Sequence, residues 1–172
     1  QMIPHSGDTL LLENAQLVFE NESQGAIAYF WDFGTGRDFS GDENPRFTYS
    51  DPGDFTVVLT AIDPNNACPD ETRLTFTIIE RGKVFMANAF SPNGDGYNDE
   101  FRFNGHGIVE FECLIFNRWG REVARLNSVD QGWDGRTHEQ ATAPEGVYMY
   151  VMKARLNTGE RIERGGSITL IR

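Results

Sequence analysis

Amide and acid side chains alternate with glycine between Ser91 and Phe103, in the stretch S-P-N-G-D-G-Y-N-D-E-F-R-F. With Ser91 as the first position of a cation loop, Asn93 falls at the third, Asp95 at the fifth, Gly96 at the sixth, Tyr97 at the seventh and Asp99 at the ninth. That spacing aims alternating oxygens at one hard cation. Glycine supplies the sharp bend, and the seventh residue offers a backbone carbonyl. The stretch therefore nominates Asn93, Asp95, Tyr97 and Asp99 as ligands of Ca²⁺. The set is incomplete. Arg102 stands at the twelfth position, where a bidentate Glu belongs, and Ser91 stands where Asp is usual. A bound Ca²⁺ would need a further carboxylate, such as Glu100 or Asp134. The alternative is a self-capped turn, in which the Asn and Asp oxygens accept the loop's own N–H groups.

Other chemistry is sparse. Asp32 follows a run of aromatics, but no base or nucleophile accompanies it, so an Asx-type bond to the following turn is expected. His5, His106 and His138 lie in loop-like sequence without the i, i+4 pairing of a metal helix, and are expected to be solvated. No nucleophile elbow, phosphate-binding loop or dinucleotide fingerprint occurs. Acids are abundant, but a glycosidase needs two carboxylates across a cleft, which two small sandwiches do not offer. The chain is expected not to be an enzyme. Cys68 and Cys113 lack the paired spacing of a zinc site and fall in different halves, so free thiols are expected, with Cys113 buried in a strand. Arg118 and Trp119 are placed to stack as a cation–π pair.

The elements that must position these residues are strands. In the first half, Gln16–Phe19, Ala26–Phe33, Phe47–Tyr49, Phe55–Ile62 and Arg73–Ile79 carry β-formers or alternation, separated by turns at Gly34–Pro45, Asp51–Gly53 and Pro64–Asn66. In the second, Val84–Phe90, Ile108–Phe116, Glu122–Leu126, Val147–Ala154 and Gly166–Ile171 do the same. Gly132–Gly135 makes a turn around a buried-looking Trp133, and Asn157-Thr158-Gly159 turns a hairpin. Val109, Phe111, Cys113 and Ile115 are expected on one face of their strand; Val147, Met149 and Val151 oppose Tyr148, Tyr150 and Met152. The whole reads as all-β, with two tandem Ig-like β-sandwich domains spanning residues 1–80 and 84–172.

Charge divides the chain at the same place. Residues 1–80 hold three Arg and no Lys against fourteen Asp and Glu, which accounts for the whole net charge of −11; residues 81–172 balance twelve against twelve. The acidic half would repel nucleic acid, whose binding rests on phosphate neutralisation. Glu80-Arg81-Gly82-Lys83 reads as a short linker between the halves. Being exposed and basic, Arg81–Lys83 is a candidate processing site. No run of about 18 apolar residues offers a transmembrane helix, so no direct membrane insertion is expected. No basic stretch followed by an apolar core opens the chain. A fragment of a longer protein, with its own targeting signal upstream, is the expectation.

Two sets of motifs carry family resemblances. Y-F-W-D-F-G-T-G at 29–36 and N-P-R-F-T-Y-S-D-P-G-D-F-T-V-V-L-T-A at 44–61 resemble the PKD (polycystic kidney disease) domain, with Thr35 where Asp is usual and Phe47 where His or Tyr is common. Related bacterial domains often pair a Cys near position 68 with one near the first strand; that partner is absent here. F-S-P-N-G-D-G-Y-N-D-E-F, I-F-N-R-W-G, G-W-D-G, P-E-G-V-Y-M-Y and G-S-I-T-L-I-R, in this order, resemble the type B C-terminal sorting domain of the Bacteroidetes type IX secretion system, also called the gliding-motility-associated C-terminal domain. The second resemblance implies a non-catalytic export signal. It would fold in the periplasm, engage the outer-membrane secretion machinery and carry a larger cargo to the cell surface or medium. The first implies a spacer or adhesion module, with a glycan or protein as its possible ligand. Strand addition makes Ser167, Ile168, Thr169, Leu170 and Ile171, with Arg172, the candidate contact with the machinery; the alternative is that this strand completes its own sandwich.

Overall fold

The computed structural model describes residues 2–63 and 69–172. The expected Pro64–Asn66 turn and the Cys68 thiol therefore lie outside the described residues. The chain forms two compact units, Gln1–Glu80 and Arg81–Arg172. Among the described residues the only helix is a 3-10 turn at Leu12–Asn14.

The first unit contains β1 (Thr9–Leu11), β2 (Gln16–Val18), β3 (Ala28–Asp32), β4 (Phe39–Ser40), β5 (Arg46–Thr48), β6 (Gly53–Ile62) and β7 (Asp70–Ile79). One sheet has the order β1-β7-β6-β3-β4, and β2 pairs with β5 in the second. Alternation puts Val57 and Leu59 of β6, Phe76 and Ile78 of β7, and Trp31 of β3 against Leu17 of β2, with Phe19, Phe33 and Tyr49 completing one core. β1 pairs parallel to β7. Its three residues, T-L-L, carry no alternation to announce it.

The second unit contains β8 (Lys83–Met86), β9 (Ala89–Phe90), β10 (Phe101–His106), β11 (Ile108–Phe116), β12 (Glu122–Leu126), β13 (Gly132–Trp133), β14 (Gly146–Leu156) and β15 (Arg161–Leu170). A sheet ordered β13-β10-β8 and a sheet ordered β12-β11-β14-β15-β9 contribute to one core. Phe101, Phe103 and Trp133 come from the first; Cys113, Ile115, Tyr148, Tyr150, Met152, Ile168 and Leu170 come from the second. Both units are thus β-sandwiches.

β14 alternates as expected: Tyr148, Tyr150 and Met152 are buried while Val147 and Met149 are exposed. β11 does not, at its start. Its register passes from Ile108 opposite Leu156 to Glu110 opposite Arg155. The bulged Val109 is thereby turned to solvent, 54% exposed, and Ile108 packs on the core in its place. Cys113 is buried and free, and burial pushes its thiol up to about 12.

The expected linker is also corrected. Lys83 already belongs to β8, opposite His106, and Gly82 is buried. The Gly82 N–H donates to Asn157 Oδ1 at 3.0 Å, and the Arg81 guanidinium lies 3.1 Å from Glu160. These residues are built into the second unit. The His106 ring lies 3.2 Å from the Arg81 carbonyl oxygen, so it is engaged rather than merely solvated.

Candidate functional site

The Ser91–Glu100 loop joins β9 to β10, and its side chains are directed at its own backbone. The Asp95 N–H donates to Asn93 Oδ1 (3.0 Å), and the Tyr97 N–H to Asp95 Oδ1 (2.8 Å). Asp99 accepts on both oxygens, from Gly94 N–H at 2.7 Å and Gly96 N–H at 2.8 Å. The Asn93 amide donates to Asp95 Oδ2 (2.9 Å), and Ser91 N–H closes the loop onto the Asn98 carbonyl (2.8 Å). Gly94 and Gly96 adopt positive φ, 79° and 86°, the left-handed conformation that glycine takes without steric cost.

The Asn93, Asp95 and Asp99 side chains accept loop N–H groups, and the Tyr97 side chain is exposed. The two carboxylates that might have completed the shell are engaged elsewhere, Glu100 with Arg102 at 2.6 Å and Asp134 with Arg136. Among the described residues, no group of three or more His, Cys, Asp and Glu is placed to hold a metal. Millimolar Ca²⁺ followed by excess chelator should leave the melting temperature unchanged. A saturable rise on addition, reversed by chelator, would make the loop a Ca²⁺ site.

Asp99 sets an acid limit on the loop. The N–H groups of Gly94 and Gly96 hold its carboxyl below the usual 3.8. A group whose folded pKa is depressed contributes stability that is complete above the unfolded value and is lost as pH falls through the folded one. Asp99→Asn keeps one acceptor and turns an amide donor toward an N–H. The variant should therefore melt below the wild type at pH 7, and the gap should close as pH falls below 3.8. Melting curves of both proteins across that range provide the check; a gap independent of pH would contradict this role.

The C-terminal candidates lie on both faces and both edges of β15. Ile168 and Leu170 are buried, at 0% and 1% exposure. β14 pairs with β15 from Arg161 to Leu170, while Thr169 and Leu170 pair on the other side with Ala89 and Phe90 of β9. The N–H groups of Thr169 and Ile171 donate to the carbonyls of Asn88 and Phe90 at 3.0 Å each. Addition of a partner strand at Thr169–Ile171 would thus require β9 to leave, whereas Ser167 keeps an open edge. The Arg172 guanidinium donates to the carbonyls of Ala143 (2.6 Å) and Gly135 (3.3 Å), clasping the loops that precede β14.

In the first unit Asp32 caps its turn, its Oδ1 accepting from the Gly34 N–H at 2.8 Å. A Cβ on Gly34 would lie 2.5 Å from the Thr56 carbonyl oxygen, so this turn admits only glycine. Thr35 donates to Asp38 Oδ2 at 2.7 Å, and Phe47 stacks on Phe33 with centroids 4.4 Å apart. Each departure from the expected motif thus has a structural role of its own. The Tyr49 hydroxyl donates to the Phe33 carbonyl at 2.8 Å, and burial raises its pKa well above the ordinary value. The aromatic run around Trp31 divides by face: Trp31 and Phe33 enter the core, while Phe30 remains 46% exposed and stacks on Phe39, 51% exposed, with centroids 5.3 Å apart.

V-Y-M-Y-V-M in β14 is apolar on both faces, the signal of a strand covered twice, yet the outward Val147 and Met149 stand in solvent. Val147 shares a shallow pocket with Trp119, 77% exposed at the tip of the β11–β12 turn, over which the Arg118 guanidinium sits 4.9 Å from the ring centroid.

The family model of the CHU_C type IX secretion signal domain matches residues 84–170, from before the Ser91 loop to the end of β15. The chain belongs to the type IX secretion signal domain family. A PKD domain model matches residues 3–76, giving the expected order of PKD then signal domain. Among solved structures, the D00-D0 domain of Intimin is 12% identical, with 99% of this chain and 98% of that one covered, at a TM-score of 0.44. The Clostridium thermocellum CbhA fibronectin(III)-like modules are 11% identical over 97% of this chain and 90% of theirs, at 0.39. Dimeric latent PorU from Porphyromonas gingivalis is 14% identical over 97% of this chain and 19% of its own, at 0.36. No helix among the described residues of the signal-domain protein is long and apolar enough to cross a membrane.

Proposed function

We propose that the second unit is a folded, non-catalytic sorting signal through which a larger cargo crosses the outer membrane by the type IX system to the cell surface or medium. The first unit serves as its spacer. The observation that carries this reading is the coincidence of the family match, 84–170, with one compact sandwich, Arg81–Arg172. The polar residues of its motifs cap turns instead of converging on a cleft, which supports recognition of a folded shape over catalysis. The test fuses the 172-residue chain to the C-terminus of a periplasmic reporter in a type IX-competent host. Surface or medium location is expected. A reporter carrying residues 1–80 alone should stay in the periplasm, and retention of the full fusion there would refute the reading.

A second reading, adhesion by the PKD unit, is favoured by the exposed Phe30–Phe39 pair on the outer side of its larger sheet. Exposed aromatic surface of this kind suits glycan or protein contacts. A glycan array probed with the full chain and with Phe30→Ser/Phe39→Ser distinguishes the two: loss of a wild-type signal in the variant supports adhesion, and no wild-type signal leaves the unit a spacer.

A further inference from the structure

The outer face of the second unit's five-stranded sheet is divided along its strands. One half is cross-linked by ion pairs: Arg125 with Glu112 (3.2 Å), Lys153 with Glu163 (3.7 Å) and Arg155 with Glu110 (2.6 Å). The other half carries ion pairs only at its β12 edge, where Glu122, opposite Phe116, meets Arg125 (3.1 Å) and His138 (3.3 Å); its β14 and β15 residues are uncharged. There Met149 lies opposite Phe116 on β11 and Ser167 on β15, and Val147 lies opposite Thr169. Val147 and Met149 are 57% and 50% exposed. Trp119 and Val147 line a shallow pocket of about 90 Å³. Arg118 stacks on Trp119; Glu145 lines the same pocket, but among the described residues no acidic side chain forms an ion pair with Arg118.

Two facts suit this half to a protein partner. Trp, Met, Phe and Arg are the residues that fill the buried centre of protein interfaces, where a few of them carry most of the binding energy. The charged half of the same face is already neutralised internally, so it has less to gain from a partner. Arg118 then states the partner's chemistry. Covering Trp119 would strip water from a guanidinium that has no carboxylate of its own, and such burial is tolerated only if the partner supplies one. A lipid surface is a poorer match. One arginine on a unit whose twelve Lys and Arg are balanced by twelve Asp and Glu lacks the polybasic attraction that holds a peripheral protein on anionic lipid.

The geometry points to the apolar half of this face, Phe116, Trp119, Val147 and Met149 with Arg118 beside them, as the surface by which the folded signal unit docks on a protein of the export machinery that presents an apolar patch bearing a carboxylate. This inference rests on the export reading above. It moves the contact from the edge of β15 to the face of β11 and β14.

The test uses the full chain fused to the periplasmic reporter in three forms: wild type, Trp119→Ala/Met149→Thr, and the polar-half variant Lys153→Ser/Glu163→Ser. Arg118→Glu forms a fourth arm. Each purified chain is first melted, which shows whether it folds; Trp119→Ala alone, at an exposed turn tip, substitutes for the double variant if that one does not. Wild type and polar-half fusions should reach the surface equally. The patch variant and Arg118→Glu should fall at least tenfold and accumulate in the periplasm as folded protein. Export of a folded patch variant at the wild-type level overturns the docking surface while leaving the export reading intact. Failure of the wild-type fusion overturns the export reading itself. Sedimentation of the wild-type chain should give a monomer; a dimer dispersed by Trp119→Ala would make a second copy the occupant and overturn the assignment. Sedimentation with anionic vesicles that is lost in Trp119→Ala would do the same in favour of lipid.

Discussion

Phe101→Ala should lower the unfolding free energy of the second unit by about 3–5 kcal/mol, the usual cost of removing a buried ring and leaving a cavity. Phe101 is 0% exposed. Its ring lies 5.0 Å from Phe103, 5.9 Å from Tyr150 and 6.4 Å from Phe90, centroid to centroid. It therefore joins the two sheets: Phe101 and Phe103 belong to β10, Phe90 to β9 and Tyr150 to β14. Collapse around the gap is limited because its neighbours are themselves large rings held in strands. Since whole domains are stable by only about 5–15 kcal/mol, one such loss is a large part of the total. Urea titration is the measurement, with a lowered midpoint at unchanged slope expected. A fall of less than about 1 kcal/mol would mean that the ring is not buried as described. In the export assay the same variant should be degraded in the periplasm instead of accumulating folded, which separates loss of fold from loss of docking.

The importance of Phe101 was legible in the sequence because it rests on a local rule. Phe101 and Phe103 alternate, as do Tyr148, Tyr150 and Met152, and a period of two places each set on one face. Trp133 between two glycines signalled its burial in the same way. Where the reading departed from the structure, the deciding partner was distant in the chain. Val109 fits the alternation of β11 until a bulge set against Leu156 and Arg155 flips it outward. The Ser91 loop has the residue types of a cation site, but spacing alone does not reveal that the N–H groups of Gly94 and Gly96 both turn onto Asp99. Thr169–Ile171 read as a candidate free edge because nothing local reveals that β9 returns beside it. The docking face was half visible. The sequence set Val147 and Met149 opposite the tyrosines of β14, and only the register with Phe116 and the pocket shared by Val147 and Trp119 show that this outer face is left uncovered.

Gly82 is the sharpest case, and it yields the second large effect. A glycine among charges reads as a linker. In the structure a Cβ on Gly82 would lie 2.5 Å from the Gly107 carbonyl oxygen, and one on Gly105 would fall within van der Waals contact of the Lys83 carbonyl oxygen and 2.9 Å from Ile108 Cδ1. The glycines are there because β8 and β10 approach at this end with no room for side chains. Gly105→Ala must push the Lys83 carbonyl away, opening the ladder where Gly105 faces Val84 and His106 faces Lys83. Overpacking of this kind costs about 1–3 kcal/mol. The strain falls on the Arg81–Lys83 end of β8, which the ladder to Gly105 and His106 holds. Proteolysis of a folded chain follows the population of the locally opened state, so each 1.4 kcal/mol or so is worth about tenfold in rate. In the wild type, cleavage by trypsin after Arg81 and Lys83 should be slow, because the Gly82 N–H is bonded to Asn157 and Arg81 is held by Glu160. Gly105→Ala should speed cleavage at those two bonds about tenfold while sites inside β11, β14 and β15 stay protected. Rapid wild-type cleavage there would restore Arg81–Lys83 as an open linker. Slow cleavage means that a protease acting at Arg81 or Lys83 must wait for β8 to detach, so that the stability of one short strand sets access to these bonds.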